Sequence, residues 1–388
     1  MDKRLLVLAS GMFALGTDSF VVAGILPQVA ASLGVSVGLA GQLVTVYALS
    51  YALLSPVIAA AASHWPRKRL LLLGLLVFVI GNSITALAPT IGIALASRFL
   101  AGLGAAMFSP TATAAGASLV PPEQRGRALA IVIAGLSSAT ALGAPLGTFI
   151  GGLLDWRATM WFVAAVGTLA GIGVSLRLSD IPTPPPVSLS KRLAPLGDTR
   201  VLLTLMTTLL TYAGLFLVYT YIGLGFDRAT GGNPRVLALL LLLWGVSATI
   251  GNLVAGKLTD RFGSRHIIVA AIIALGVDFV LLPWSSASIV TAIPALIVWG
   301  LGGWGLVVPQ QHRLIHTAPA AGPLVLGLNS AALYIGVSMS GLIGGAAINL
   351  VAPHNLGLAA TPFIVAALLV AEWAYRQISK PASLQAAE

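Results

Sequence analysis

The sequence predicts an all-α membrane protein: twelve transmembrane helices in two six-helix bundles related by a pseudo-twofold axis. Three observations predict it. The 388-residue chain is 57% hydrophobic and only 8% charged, with a mean hydropathy of +0.97, whereas a soluble chain carries about a quarter of its residues as charges. Apolar runs of about 20 residues, enough to cross a hydrocarbon core of ~30 Å, follow one another along the whole length. Basic residues fall in short bursts between those runs, mostly on one side.

Breaks at proline, glycine and charge place the first six spans at about 5–31, 38–62, 69–88, 90–118, 126–153 and 158–177. The second six fall at about 200–225, 234–258, 266–287, 289–316, 322–349 and 355–377. The start of the chain resembles a signal peptide, but its apolar run continues to about Ala31, so it is the first span. Residues 1–177 and 200–388 are thus the expected bundles. Residues 178–199 carry Pro182, Pro184, Pro185, Pro186 and Pro195 with Asp180, Lys191, Arg192 and Asp198, and form a polar, proline-broken linker.

An even number of spans per half puts both termini and the linker on one face. Of 21 Lys and Arg, 17 fall on that face, including Lys380 near the end. Arg157, Arg228 and Arg235 lie opposite, and Arg98 lies inside a span. Positive-inside bias therefore makes the terminus face cytoplasmic. The formal charge of +10 is spread over these loops, with no basic arm to follow a phosphate backbone, so no nucleic-acid partner is expected. With no cysteine, disulfides, thiolate metal sites and cysteine nucleophiles are excluded.

The first span carries Asp18, about 20 Å into the membrane from Leu5 at 1.5 Å per residue. An ionisable group at that depth is costly and usually functional. Asp18 is expected to bind protons or substrate, the alternative being a structural acid bonded to Thr17, Ser19 or a neighbouring helix; Arg98 of the fourth span is expected to face a cavity or an acidic partner, the alternative being a structural arginine bonded to backbone carbonyls. Arg98 opens the string Arg98-Phe99-Leu100-Ala101-Gly102-Leu103-Gly104-Ala105-Ala106, whose small residues permit close helix packing. In the fifth span, Gly143, Pro145 and Gly147 make a pliable point where a helix can rock, although tight packing alone also explains them. Asp278, in the ninth span, is the second intramembrane acid.

Between the eighth and ninth spans, Gly256-Lys257-Leu258-Thr259-Asp260-Arg261-Phe262-Gly263-Ser264-Arg265 has a degraded counterpart about 200 residues earlier, a spacing that indicates two homologous halves. Gly256 is expected to let helix ends approach, Gly263 to allow a tight turn, and Asp260 to pair with arginine or cap a helix. In the counterpart, Ser63 and Pro66 replace the acid and second glycine, while Arg67 is retained. His312 and His316 share a helix face without a third ligand in sequence, so no metal or cofactor is expected. Gly336-Val337-Ser338 is ordinary helix packing, and with no P-loop or H-E-x-x-H an intramembrane enzyme is disfavoured.

These strings resemble the major facilitator superfamily. Residues 256–265 match its loop pattern G-x-L-x-D-R-x-G-x-R, and residues 98–106 resemble R-x-x-x-G-x-G-A. Gly143-Ala144-Pro145-Leu146-Gly147-Thr148 is a partial form of the antiporter motif, whose core is G-P-x-x-G-G. With the first two spans, Gly16 to Pro56, the chain is similar to the twelve-span drug:proton antiporter branch, nearest to bacterial arabinose-, sugar- and chloramphenicol-efflux permeases.

The resemblance implies a major-facilitator-type fold in a bacterial cytoplasmic (inner) membrane. It implies export of small neutral or weakly cationic amphipathic molecules, by alternating access driven by inward proton flow. The implied partners are a small-molecule substrate, protons and the lipid bilayer, with a monomer as the working unit. Asp18 and Arg98 take the coupling role. Gly256, Asp260, Arg261, Gly263, Arg265 and Arg67 form the cytoplasmic gating loops, and Gly143, Pro145 and Gly147 the rocking motif. Cavity candidates on the implied lining helices are Phe20, Gln42, Tyr47, Tyr51, Tyr212, Tyr219, Trp304, Gln310, Asn329 and Tyr334. An uncoupled facilitator or importer on the same fold is the alternative.

Overall fold

Twelve helices long and apolar enough to cross a membrane account for nearly all the structure, a computed structural model that describes residues 2–179, 181 and 187–379. Asp180, Pro182, Pro184, Pro185 and Pro186 of the linker, and Lys380, lie outside the described residues. The first six helices are α1 (Lys3–Leu33), α2 (Val37–Ala61), α3 (Arg67–Leu87), α4 (Ile91–Ser118), α5 (Arg125–Leu153) and α6 (Trp156–Arg177). The second six are α7 (Thr199–Thr220), α8 (Pro234–Phe262), α9 (Ser264–Ser285), α10 (Ile289–Thr317), α11 (Pro319–Ala347) and α12 (Pro353–Ile378). Among the described residues there is no strand.

In lipid, only a helix or closed barrel satisfies its own backbone, so the vulnerable groups are the first amides of each helix. Asp2, Ser36, Thr90, Asp155, Asp198, Asn233 and Ser288 each accept a bond from the first turn of the helix they precede. Within the halves, small residues set helix spacing, as expected where packing rather than water exclusion drives association. A Cβ on Gly104 of α4 would stand 2.5 Å from the Phe78 nitrogen of α3, and one on Gly81 of α3 would stand 2.6 Å from the Ala101 nitrogen. That close approach is the structural content of the glycines that follow Arg98.

Three helices depart from regularity. α5 widens into a π-helical turn at Ala139–Gly143, just before Pro145. Proline donates no N–H to the preceding turn and crowds its carbonyl, and the wider turn absorbs both. α10 is interrupted at Leu306, between the segments Ile289–Gly305 and Val307–Thr317. α7 ends at Thr220 rather than near residue 225. Tyr221 leaves helical geometry at φ −111° and ψ 24°, and the chain continues through the short turns Ile222–Gly225 and Asp227–Thr230 to Gly231 at φ 60°.

The expected loop at 256–265 is also mostly helix. α8 runs through Phe262, and Gly263 alone makes the turn, at φ 79°. The two halves meet where α2 packs on α11 and α5 on α8, a pairing set by glycines. Gly38 of α2 lies against Gly345 of α11, with 2.8 Å from a Cβ on Gly38 to the Gly345 carbonyl, and Gly245 of α8 lies against the Thr140 carbonyl in the π turn.

Candidate transport site

Asp18, halfway along α1, has no solvent exposure, and neither has Asn82 of α3, while Arg98 of α4 is 1% exposed. Arg98 Nη1 donates to Asp18 Oδ1 at 2.7 Å and to Asn82 Oδ1 at 3.2 Å. Asn82 Nδ2 donates to Asp18 Oδ2 at 3.3 Å and to the Phe78 carbonyl at 3.1 Å. The guanidinium carbon also lies 4.5 Å from the centre of the Tyr47 ring of α2. Four helices of one half thus converge on a single ion pair, whose charge-assisted bonds replace the lost water. Arg98 Nε has no partner among the described residues, so the pair is not fully satisfied.

A chain of hydroxyls leads from Tyr47, whose ring lies against Arg98, to the other half. Ser19 Oγ donates to Tyr47 Oη at 3.2 Å and lies 3.4 Å from Tyr334 Oη of α11. Tyr334 is partly exposed and tilts against Tyr51 of α2, with 4.1 Å between ring centres. Tyr51 Oη in turn donates to Ser109 Oγ of α4 at 3.2 Å. Beside these, Phe20 of α1 meets Phe216 of α7 at 6.0 Å and Trp304 of α10 at 5.7 Å, which builds an uncharged aromatic wall from both halves. The Trp304 Nε1 and Gln310 Oε1 atoms are buried without a partner.

Every side-chain hydrogen bond that joins the halves, among the described residues, lies at mid-membrane or on the face opposite the termini. Tyr219 Oη donates to the Phe20 carbonyl at 3.2 Å, Gln42 Nε2 to the Gly341 carbonyl at 3.0 Å, and Thr45 Oγ1 to the Ser338 carbonyl at 3.1 Å. Towards the termini the helices part. Leu53 and Val57 of α2 are exposed, as are Ile133 and Ala134 of α5, and a Cβ on Gly327 of α11 would meet nothing. The seam between the halves is therefore closed at mid-membrane and on the face opposite the termini, and parted towards the terminus face.

The remaining expected residues distribute as follows. Gln42 and Tyr219 belong to the sealed seam, and Tyr47 lies under Arg98 rather than free in the cavity. Asn329 of α11 accepts from Thr208 of α7 at 2.8 Å, Tyr212 donates to the Gly303 carbonyl at 3.2 Å, and Gln310 reaches the Thr204 carbonyl at 3.5 Å. These three tie the second half together. Gly143 and Gly147 pack against Thr17 and Val21 of α1, which makes the rocking motif a glycine track along the Asp18 helix.

In the gating loops, Arg265 pairs with Glu372 of α12 at 2.6 Å and stacks over Tyr375 at 4.1 Å, and Arg261 stacks on Phe262 at 5.1 Å. Asp260 is exposed, and among the described residues it forms neither the expected arginine pair nor a helix cap. Gly256 approaches no helix closely in this state, since a Cβ there would meet only Val308 Cγ1, at 3.9 Å. Arg67 starts α3 close enough to Arg192 for the two charges to repel, and Arg192 Nη2 donates to the Ala59 carbonyl at the end of α2 at 2.9 Å. Asp278 is buried, with Oδ2 unpartnered.

Asn82 and Ser19 are functional candidates that the sequence alone did not single out. An uncharged amide or hydroxyl in a span carries little signal, though Asn82 ends the apolar run of residues 70–81 in α3.

The Major Facilitator Superfamily profile matches residues 8–340. The chain is 31% identical to an uncharacterized MFS-type transporter, YtbD, of Bacillus subtilis (strain 168), over 95% of this chain and 94% of that one. It is 30% identical to a chloramphenicol resistance protein of Streptomyces lividans, over 97% of each. Its fold is similar to that of a D-xylose-proton symporter, with a TM-score of 0.79 at 16% identity, covering 96% of both chains.

Proposed function

The chain belongs to the major facilitator superfamily and is a membrane transporter, and from that premise we propose that it exports small neutral or weakly cationic amphipathic molecules in exchange for protons. The observation that carries this reading is the Asp18–Arg98 pair: an ion pair buried at mid-membrane and stacked on Tyr47, whose hydroxyl is linked through Ser19 to a tyrosine of the opposite half. The chloramphenicol resistance relative supports the direction and the substrate class. The positive-inside bias supports a cytoplasmic terminus face in the inner membrane, and the parted side of the seam then faces the cytoplasm.

In this state Arg98 and Asn82 each donate to one carboxyl oxygen of Asp18. A proton on Asp18 removes the charge that fixes the guanidinium, leaving Arg98 with the Asn82 carbonyl oxygen and the Tyr47 ring. The α1 turn that carries Asp18 also carries Thr17, Ser19 and Phe20, which point to different sides and touch α5, α11 and α7 in turn. A change of charge at Asp18 therefore acts on both inter-half seams. The cycle runs with substrate entering from the cytoplasm against an unprotonated pair, the halves rocking, and substrate leaving outward as a proton arrives at Asp18. Return to the cytoplasm-facing state releases the proton as Arg98 recovers its partner. The wall of Phe20, Phe216, Tyr212 and Trp304 carries no charge, which suits a neutral planar body with few polar groups.

The test is Asp18→Asn in proteoliposomes. Exchange of trapped substrate is expected to survive while uptake driven by a pH gradient is lost. Retention of gradient-driven accumulation would refute coupling through Asp18, whereas substrate exchange with no gradient-driven accumulation in the unmodified protein would leave a facilitator on the same fold.

A further inference from the structure

Tyr221 is the residue at which α7 breaks, and it is 1% exposed. Its hydroxyl donates to the Gly341 carbonyl of α11 at 2.8 Å, the same oxygen that accepts from Gln42 of the opposite half at 3.0 Å. Its ring lies in a socket of three glycines. A Cβ on Gly41 of α2 would overlap Tyr221 Oη and stand 2.8 Å from Cζ; one on Gly344 would stand 2.5 Å from Cε2, and one on Gly345 3.0 Å from Oη. At Gly41 and Gly344 a Cβ overlaps the ring where it sits, and at Gly345 it presses on the hydroxyl.

Gly41 belongs to one half, whereas Gly344, Gly345 and Tyr221 belong to the other. The ring is thus carried by the second half, by both α7 and α11, and pressed against bare backbone of the first. Opening this face requires α2 to leave α11, and that motion strips Gly41 from the ring and Gln42 from the shared carbonyl together.

We propose that Tyr221 is the plug of the gate on the face opposite the termini, and that the glycine socket is its seat. Tyr221 touches no cavity residue of the charge cluster and acts on transport by positioning the two halves. The break in α7 serves this seat: the chain leaves helical geometry at the residue whose side chain must enter the α2–α11 seam. The proposal rests on the orientation given above only to name the exposed face as external, and its test involves neither substrate nor proton.

The absence of cysteine from the natural chain makes single-cysteine labelling direct. Ser338→Cys reports from below the plug, where the Ser338 carbonyl meets Thr45, and Ser109→Cys reports from beside Tyr51 on the terminus side. Each is labelled with a membrane-impermeant maleimide, applied from outside to Ser338→Cys and from inside, in inverted vesicles, to Ser109→Cys.

Tyr221→Ala is expected to raise external labelling of Ser338→Cys about tenfold and to lower labelling of Ser109→Cys, as one conformational equilibrium shifts. Gly41→Ala is expected to do the same more weakly, and to do less in a Tyr221→Phe background, where the overlapping hydroxyl is gone. These milder variants carry the test if Tyr221→Ala does not fold. Protection of Ser338→Cys unchanged in the folded variants would overturn the proposal. So would a parallel rise at both positions, which would mark a merely structural tyrosine.

Discussion

Asp18→Asn, Arg98→Met and the double replacement form a cycle that measures how far the buried pair acts as one unit. Removing one partner of a buried ion pair costs about 3–5 kcal/mol, because the other charge remains without water. After Asp18→Asn, Arg98 keeps Asn82 Oδ1 at 3.2 Å and the Tyr47 ring at 4.5 Å. Those contacts place the loss at the lower end, about 3 kcal/mol. After Arg98→Met, Asp18 keeps only Asn82 Nδ2, at 3.3 Å, and a loss of similar size is expected. The double variant buries no charge and is expected to lose less than the two single losses combined, giving an interaction energy of at least about 2 kcal/mol. Unfolding in mixed micelles of rising SDS fraction reads the three values. Losses that add to within about 0.5 kcal/mol would show that the two charges do not depend on each other, and would refute the argument.

Asn82→Leu strands an oxygen of Asp18 and is expected to cost about 1–3 kcal/mol in the same assay, with weaker pH-driven transport. Thr45→Val removes one bond across the α2–α11 seam. At about 1 kcal/mol this shifts the ratio of closed to open seam on the face opposite the termini roughly fivefold, readable as a distance change between spin labels at Ser36 and Ala352. Gly245→Leu drives a side chain into the Thr140 carbonyl, so α5 and α8 are expected to be held apart and exchange to be abolished in a protein that still inserts. Outside the membrane, the Arg200 side chain holds the Asp198 carboxyl below the usual carboxylate range while Asp198 caps α7. A lowered value means the cap's contribution is present above the ordinary carboxylate range and is lost as the pH falls through the lowered one. Asp198→Ala is therefore expected to cost about 1 kcal/mol uniformly from pH 5 to 8, with the cost shrinking only below about pH 4.

The twelve spans were legible because hydrocarbon thickness and loop charge are one-dimensional constraints, and Asp18 and Arg98 were legible because charges inside apolar runs are conspicuous. The places where the sequence misled depend on distance between elements. Tyr221 looked like an ordinary residue of the seventh span, and only its neighbours Gly41, Gly344 and Gly345, separated by more than a hundred residues, give it meaning. The segment 256–262 looked like loop because it is polar, yet it is the last two turns of α8 beyond the apolar core. Gln42 and Tyr47 were grouped with the cavity by helix assignment. Their partners, Gly341 and Arg98, put them in the seam and under the ion pair. The π turn before Pro145 follows from a proline in a helix, but its contact with Gly245 is a property of two halves meeting.

Exchange of outward-moving substrate for inward-moving protons is read directly in proteoliposomes that enclose a pH dye and bear an imposed pH gradient. Neutral chloramphenicol-like compounds, sugars and lipophilic cations are then added in turn. The account predicts that one class, the neutral aromatic compounds, accelerates dissipation of the gradient, and that Asp18→Asn abolishes the acceleration. Substrate flux with no accompanying proton movement would contradict it.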